Sequence, residues 1–150
     1  MRLYLIQHGL ALPEEKDSEK SLSPEGKKQT QEAVGFLKGK NIKVDCIWHS
    51  TKLRSVQTAQ IISKQISCSE IQERNDLNAL DSVHEFPEKI QSFKKDLMIV
   101  GHLPFLQKLA SMLLAGSEDY QFISFKNSGV VCLEYSKVWK IVWMVIPELI

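Results

Sequence analysis

The sequence has few of the features that would set a chain apart from ordinary globular proteins. Its 150 residues contain only three cysteines, Cys46, Cys68 and Cys132, which are odd in number and far apart. This pattern indicates neither a disulfide framework nor a zinc site. The formal net charge is only +1, which provides no long-range field to attract nucleic acid or anionic lipid. An anion bound by this protein must therefore be held by a few placed groups.

Long apolar runs, repeats and linkers are also missing. The first apolar stretch is interrupted by Gln7 and His8, which argues against a signal segment. The run at 138–146 is broken by Lys140 and is too short to cross a bilayer. No repeat or low-complexity tract marks a domain boundary. We expect residues 1–150 to form one domain of a reduced, cytoplasmic protein without membrane or nucleic-acid partners.

Alternating strand and helix patterns predict an α/β fold. Segments that are apolar at nearly every position are typical of strands covered on both faces of a parallel sheet. Segments with apolar residues at helical spacing follow them, with Ser, Pro or Thr at their starts. Predicted strands lie at 3–6, 44–49, 70–73 and 97–100, and predicted helices lie at 24–39, after Ser50 or Thr51 as far as Ile66, at 84–94 and from Pro104.

Two further segments complete the pattern. Residues 130–135 and 138–146 predict a terminal hairpin, with Trp139 and Trp143 on one face of its second strand as core or interface residues. The polar segment 13–20 carries mixed charges without periodicity, which is typical of a solvated loop and also compatible with a loop that contacts a partner.

Three polar side chains follow three of the predicted strands. His8 and His102 each end a strand, and Arg54 lies in the first turn of the helix that follows another. Because parallel strands with right-handed crossovers bring their carboxyl ends to one edge, we expect the three to converge. A helix start with Ser50, Thr51 and an arginine fork suits a doubly charged anion such as phosphate.

These residues predict phosphoryl chemistry. Neutral imidazole is available at neutral pH, since its reference pKa is about 6.5, so one histidine can act as nucleophile. The other histidine can donate to the oxygens that gain charge in the transition state.

The segments that carry these residues resemble a known family. The strand that ends in His8-Gly9, the segment 50–59 and the segment 101–104 are similar to the three signature segments of the histidine phosphatase superfamily. The short length resembles the bacterial phosphohistidine phosphatases that act on histidine-containing phosphotransfer domains. The resemblance implies the phosphoglycerate-mutase-like fold, a three-layer α/β/α sandwich whose mostly parallel central sheet has an antiparallel C-terminal edge.

The resemblance also implies a covalent mechanism. His8 would attack phosphorus, a phosphohistidine would form, and water would release phosphate, while Arg54 and His102 stabilise the transferring group. No metal and no cofactor are required. This agrees with the sequence, which contains no tight cluster of histidines and carboxylates at ligand spacing.

One position departs from the family. Its first motif reads Arg-His-Gly, whereas here Gln7 precedes the histidine. A charge-assisted hydrogen bond contributes about 1.5–3 kcal/mol against about 1 kcal/mol for a neutral one. We therefore expect weaker phosphate binding, and Gln7→Arg to raise phosphatase efficiency or phosphate affinity. Lys52 or His49 could compensate for the missing arginine charge. The alternative is that Lys52 is an ordinary solvated lysine and His49 an ordinary histidine at a strand end.

The remaining candidates carry alternatives. Asp76 is either the general acid or a surface carboxylate. Asn127, in a polar turn, is a phosphate ligand or an ordinary turn residue, and Gly9 allows close approach to phosphate or permits a bend. Gln7, Gly9, Ser50 and Asn127 are the predicted substrate-binding set.

Three functions follow from these residues. A leaving imidazole needs less protonation than a leaving alkoxide. The lack of a convincing general acid in the sequence therefore favours phosphohistidine as substrate. The short segment 83–95 leaves little chain for the lid that larger members of the resembled family place over small substrates, so the resemblance implies a protein substrate. The alternatives are a phosphomonoesterase or mutase for small esters and a catalytically silent module that binds phosphate or phosphoprotein.

Overall fold

A six-stranded sheet with two helices on each face forms the protein, and the computed structural model describes residues 1–150. The strands are β1 (Arg2–Gln7), β2 (Lys43–Ser50), β3 (Ser67–Arg74), β4 (Leu97–Gly101), β5 (Val130–Tyr135) and β6 (Trp139–Val145). The helices are α1 (Pro24–Gly39), α2 (Leu53–Ser63), α3 (Phe86–Phe93) and α4 (Phe105–Ala115), followed at the end of the chain by a 3₁₀ turn at Pro147–Leu149.

The order of strands brings the predicted site to one edge. It is β3-β2-β4-β1-β5-β6, with the first four strands parallel and β5 and β6 antiparallel. The predicted fold class is therefore confirmed, including the antiparallel C-terminal edge. Because β2, β4 and β1 are direct neighbours, the residues that follow them lie side by side. No helix is both long and apolar enough to span a membrane.

The continuous apolar runs exist because the sheet is covered on both faces. Leu3 and Leu5 of β1 pack on the side of α3 and α4, whereas Tyr4 and Ile6 pack on the side of α1 and α2. All four side chains are buried. A strand buried on both sides needs apolar residues at every position rather than at every second one.

Helix α1 begins as its sequence predicts. The Ser23 hydroxyl accepts a hydrogen bond from the Gly26 backbone N–H at 2.9 Å, and Pro24 occupies the first turn, where it sacrifices no helical hydrogen bond. The buried side of the helix carries the predicted residues Thr30, Ala33, Val34 and Leu37.

Two glycines on α1 should respond oppositely to alanine. A methyl group at Gly26 would lie 2.1 Å from the backbone oxygen of Leu10, whereas one at Gly35 would meet nothing within 4 Å. We expect Gly26→Ala to lower the free energy of unfolding by about 3 kcal/mol or more through overpacking. Gly35→Ala should raise it by about 0.5–1 kcal/mol, since alanine is the better helix former. Urea unfolding measures both, and equal effects would contradict the close packing at Gly26.

The start and end of α2 differ from the prediction. Its N-cap is Lys52 rather than Ser50 or Thr51, because β2 continues through Ser50. Ile66 lies beyond the end of the helix. The buried residues of the helix are Ser55, Thr58, Ala59 and Ile62, so small polar side chains occupy half of its buried side.

The two tryptophans of β6 lie on opposite faces of the sheet. The prediction that they share one face was therefore wrong. Trp139 packs with the α3 and α4 side, whereas Trp143 contacts Tyr4 on the other side. The register shifts between Cys132 and Leu133, which pair with Trp143 and Ile141. Two steps along β6 thus match one step along β5, and this bulge reverses the alternation.

Candidate active site

His8 lies immediately after β1 with its ring held in one orientation. Its ring Nδ1 is 2.7 Å from the Gly9 carbonyl oxygen. A carbonyl can only accept, so Nδ1 carries the proton and Nε2 keeps its lone pair. Arg54 Nε donates to that Nε2 at 3.2 Å. The unprotonated nitrogen of His8 therefore faces the guanidinium.

The second imidazole lies against the first. The His8 and His102 rings have centroids 5.0 Å apart. His102 Nε2 is 2.5 Å from the Ser50 hydroxyl oxygen, and its Nδ1 is buried without a hydrogen-bond partner. Side chains that follow β1, β4 and β2 thus surround one space. No group of three or more histidine, cysteine, aspartate or glutamate side chains in the protein is arranged to hold a metal ion.

Burial keeps both rings uncharged. It lowers the pKa of His8 to about 4, an effect that the Gly9 hydrogen bond opposes and the Arg54 and Lys20 charges reinforce. Burial also lowers the pKa of His102 to about 3, with further contributions from His8, Arg54 and Lys52. Both imidazoles are neutral at neutral pH, which is the form that a nucleophile needs.

These lowered pKa values predict an acid-dependent loss of stability. Between about pH 6.5 and pH 4 the unfolded chain takes up protons at His8 and His102 that the folded protein does not. The free energy of unfolding should therefore decrease as pH falls through this window, by about 1 kcal/mol per pH unit for each such histidine. Urea unfolding at several pH values measures it. His102→Asn should reduce the slope, and an unchanged slope would contradict the burial argument.

Packing explains the glycine that follows His8. A methyl group at Gly9 would lie 2.7 Å from Thr30 Oγ1 and 3.0 Å from Leu22 Cδ2. The Gly9 N–H donates to Thr58 Oγ1 at 2.9 Å, and that hydroxyl donates to the Arg54 carbonyl at 2.7 Å. Thr58 therefore joins the loop that contains His8 and Gly9 to the helix of Arg54. Sequence reasoning missed it, although it lies one turn after the arginine.

Residues 127 and 128 hold the backbone around His8. Asn127 Nδ2 donates to the His8 carbonyl at 2.9 Å, and the Ser128 N–H donates to the Gln7 carbonyl at 2.9 Å. Asn127 thus fixes the backbone of His8, a role its sequence position did not suggest. Gln7 Oε1 is buried without a hydrogen-bond partner and supplies no charge to the site.

The predicted general acid is engaged elsewhere. Both Asp76 carboxylate oxygens accept from Arg74, at 2.9 and 2.7 Å, and Lys89 Nζ lies 3.1 Å from one of them. The Arg74 hydrogen bonds lower the pKa of Asp76, burial opposes this effect, and the Lys89 hydrogen bond adds to it. An ionised carboxylate is a poor proton donor at neutral pH. His49 is buried, with Nδ1 2.9 Å from the Ser50 carbonyl oxygen.

Sequence comparison agrees with this arrangement. Residues 3–86 match the family model of the histidine phosphatase superfamily (branch 1), and this match covers more than half of the chain. The chain belongs to the histidine phosphatase superfamily. No curated protein sequence matches it. Membership supports phosphatase activity and leaves the substrate open.

Solved structures of other superfamily members share the fold over nearly the whole chain. The protein histidine phosphatase SixA in complex with tungstate superposes with a TM-score of 0.87 at 19% identity, covering 99% of both chains. The α-ribazole phosphatase of Shigella flexneri superposes with a TM-score of 0.75 at 15% sequence identity, covering 94% of both chains. A phosphoserine phosphatase mutant of Entamoeba histolytica, in complex with phosphoserine, superposes with a TM-score of 0.72 at 16% sequence identity, covering 95% of both chains. At these identities the likeness establishes the fold alone.

Proposed function

We propose that this protein is a metal-independent phosphohistidine phosphatase that removes phosphate from a phosphorylated histidine of a cytoplasmic protein, such as a histidine-containing phosphotransfer domain. The observation that carries the proposal is the lone pair of His8 Nε2, fixed by the Gly9 carbonyl and faced by Arg54. Neutral, oriented imidazole beside a guanidinium is the pairing that nucleophilic attack on a phosphoryl group needs.

The reaction then takes two steps. His8 Nε2 attacks phosphorus while the bond from phosphorus to the substrate imidazole breaks, and the departing imidazole nitrogen takes a proton from solvent. Water next attacks the phosphorus of phosphorylated His8, which releases inorganic phosphate and regenerates the neutral ring. Arg54 and His102 stabilise the charge on the transferring oxygens in both steps.

Two features favour phosphohistidine among phosphorylated substrates. Asp76 is held by Arg74 and Lys89, so the side chain predicted as general acid has no proton to give. A leaving imidazole tolerates that lack better than an alkoxide does, because it is the weaker base. The only helix in the connection from β3 to β4 is α3, with eight residues, so this connection contributes no larger helical lid to enclose a small ester.

A second candidate, a phosphate- or phosphoprotein-binding module, is favoured by Gln7. Its neutral side chain leaves Arg54 as the only cation within hydrogen-bond distance of His8. If charge stabilisation in the transition state is insufficient, phosphate binding persists without turnover.

Turnover of two substrates separates the candidates. Wild-type protein is assayed with a phosphorylated histidine-containing phosphotransfer domain and with an aryl phosphate, and the phosphoenzyme is trapped by rapid quenching. We expect preference for the phosphoprotein and label on His8. Preference for the aryl ester would replace the proposal with a small-ester phosphatase. Phosphate binding without turnover or label would replace it with a binding module.

A further inference from the structure

The loop between β1 and α1 is fastened beside the helix that carries Arg54. The Leu12 N–H donates to the Ser21 carbonyl at 2.7 Å, which closes the loop on itself. The Leu22 N–H donates to the side-chain oxygen of Gln57 at 2.7 Å. Gln57 lies one turn after Arg54 on α2, so this hydrogen bond holds the loop next to the guanidinium.

One carboxylate organises the turn of this loop. Asp17 accepts hydrogen bonds from the Glu19 N–H at 3.0 Å, from the Ser21 N–H at 3.1 Å and from the Ser21 hydroxyl. The Lys20 N–H donates to the Asp17 carbonyl at 2.9 Å. Between these hydrogen bonds the Lys20 backbone has a φ of +51°, a left-handed conformation that residues other than glycine rarely adopt. The Asp17 hydrogen bonds therefore hold Lys20 in an otherwise unfavourable backbone conformation.

Lys20 lines the same cavity as Arg54. The cavity has a volume of about 510 Å³, and Lys52 and two glutamates, Glu14 and Glu19, also line it. Neither lysine forms an ion pair with any carboxylate of the protein, so the charge of each is available to a ligand. The charge of Lys20 also makes a small contribution to the lowered pKa of His8, after burial and Arg54.

We propose that Lys20 is a phosphate-binding residue that supplies positive charge from the β1–α1 loop, and that Asp17 is its positioning residue. The proposal rests on the phosphate site proposed above. A charge from Lys20 would explain how the site can bind a dianion although the residue before His8 is the neutral Gln7 and not an arginine. A lysine suits this role because its ammonium is a compact charge on a long flexible stem.

Tungstate and inorganic phosphate, titrated by calorimetry, test the charge. We expect Lys20→Gln to weaken tungstate binding about tenfold in about 20 mM salt, and the difference to shrink in about 0.5 M salt, where exposed charges are screened. Lys20→Arg should retain the affinity. Lys16→Gln is the matched control, since this exposed lysine of the same loop does not line the cavity, and it should bind as wild type does.

Two double variants separate charge from loop structure. Gln7→Arg should increase affinity more in the Lys20→Gln background than in wild type, because there it replaces a missing charge. Asp17→Ala should weaken binding when Lys20 is present and have little further effect in Lys20→Gln. The proposal is overturned if Lys20→Gln binds as Lys16→Gln does, or if its loss is independent of salt and not restored by Gln7→Arg.

These measurements do not depend on the substrate. Tungstate affinity is read without turnover, so a protein that fails to dephosphorylate phosphohistidine can still show the dependence on Lys20. Conversely, the protein could turn over phosphohistidine while Lys20→Gln binds tungstate as tightly as wild type does. That result would overturn this inference and leave the proposed function standing.

Discussion

Replacing His8 with alanine should reduce turnover of a phosphorylated phosphotransfer domain by about 10⁴-fold or more, the scale seen when a covalent nucleophile is removed. The reason is that Nε2 is the only unprotonated nitrogen of His8, because Nδ1 carries the proton that it donates to the Gly9 carbonyl. The same variant should give no acid-labile phosphoenzyme after rapid quenching with radiolabelled substrate. Steady-state turnover and phosphoenzyme trapping measure the two effects.

The control for this experiment is His84→Ala. His84 is exposed and contacts Glu118 at 3.3 Å, away from the residues that surround His8. It should retain both turnover and label. If His8→Ala keeps its fold by circular dichroism and still forms a labelled phosphoenzyme, the assignment of His8 as nucleophile is wrong.

Replacing Arg54 with alanine should lower kcat/KM by about 10³-fold. Loss of one preorganised donor to developing charge costs about 10²–10³-fold, and loss of an arginine that stabilises a phosphoryl transition state costs about 10³–10⁵-fold. Arg54→Lys should restore little of this, since an ammonium cannot reproduce the planar fork. The pKa of His8 should also rise in Arg54→Ala, because a nearby positive charge is removed. Steady-state kinetics and NMR titration of the ring measure these effects.

Arg2→Ala provides the comparison for Arg54. Arg2 lies on β1 with its exposed side chain 3.4 Å from Glu134, on the antiparallel side of the sheet. Its loss should leave kcat/KM unchanged. Equal kinetics in Arg54→Ala and wild type would mean that the guanidinium beside His8 does not contact the phosphoryl group.

The general chemistry of the edge followed from local signals in the chain. His8 and His102 each come directly after a buried strand, and this position is enough to place both at the carboxyl edge of a parallel sheet. Ser23 and Pro24 likewise marked the start of α1, because capping depends on neighbours within a few residues. Both predictions depended only on short-range sequence patterns.

Pairings between distant residues did not follow from such signals. The contact of Ser50 with His102 joins residues 52 positions apart, and that of Asn127 with His8 joins residues 119 positions apart. In both cases a polar side chain can satisfy its hydrogen bonds in many ways, and only packing selects one. For the same reason Ser50 was predicted as a helix cap, whereas its hydroxyl contacts a histidine.

The amino-acid sequence alone predicted the order of strands and helices, the antiparallel C-terminal hairpin and the polar residues at strand ends. These features could be predicted because apolar spacing and capping are properties of neighbouring residues. The folded chain decided the bulge that separates Trp139 from Trp143, the ion pairing that removes Asp76 as a proton donor, and the approach of the Lys20 loop to Arg54. These depend on register and on contacts between segments far apart in the chain, which local patterns do not encode.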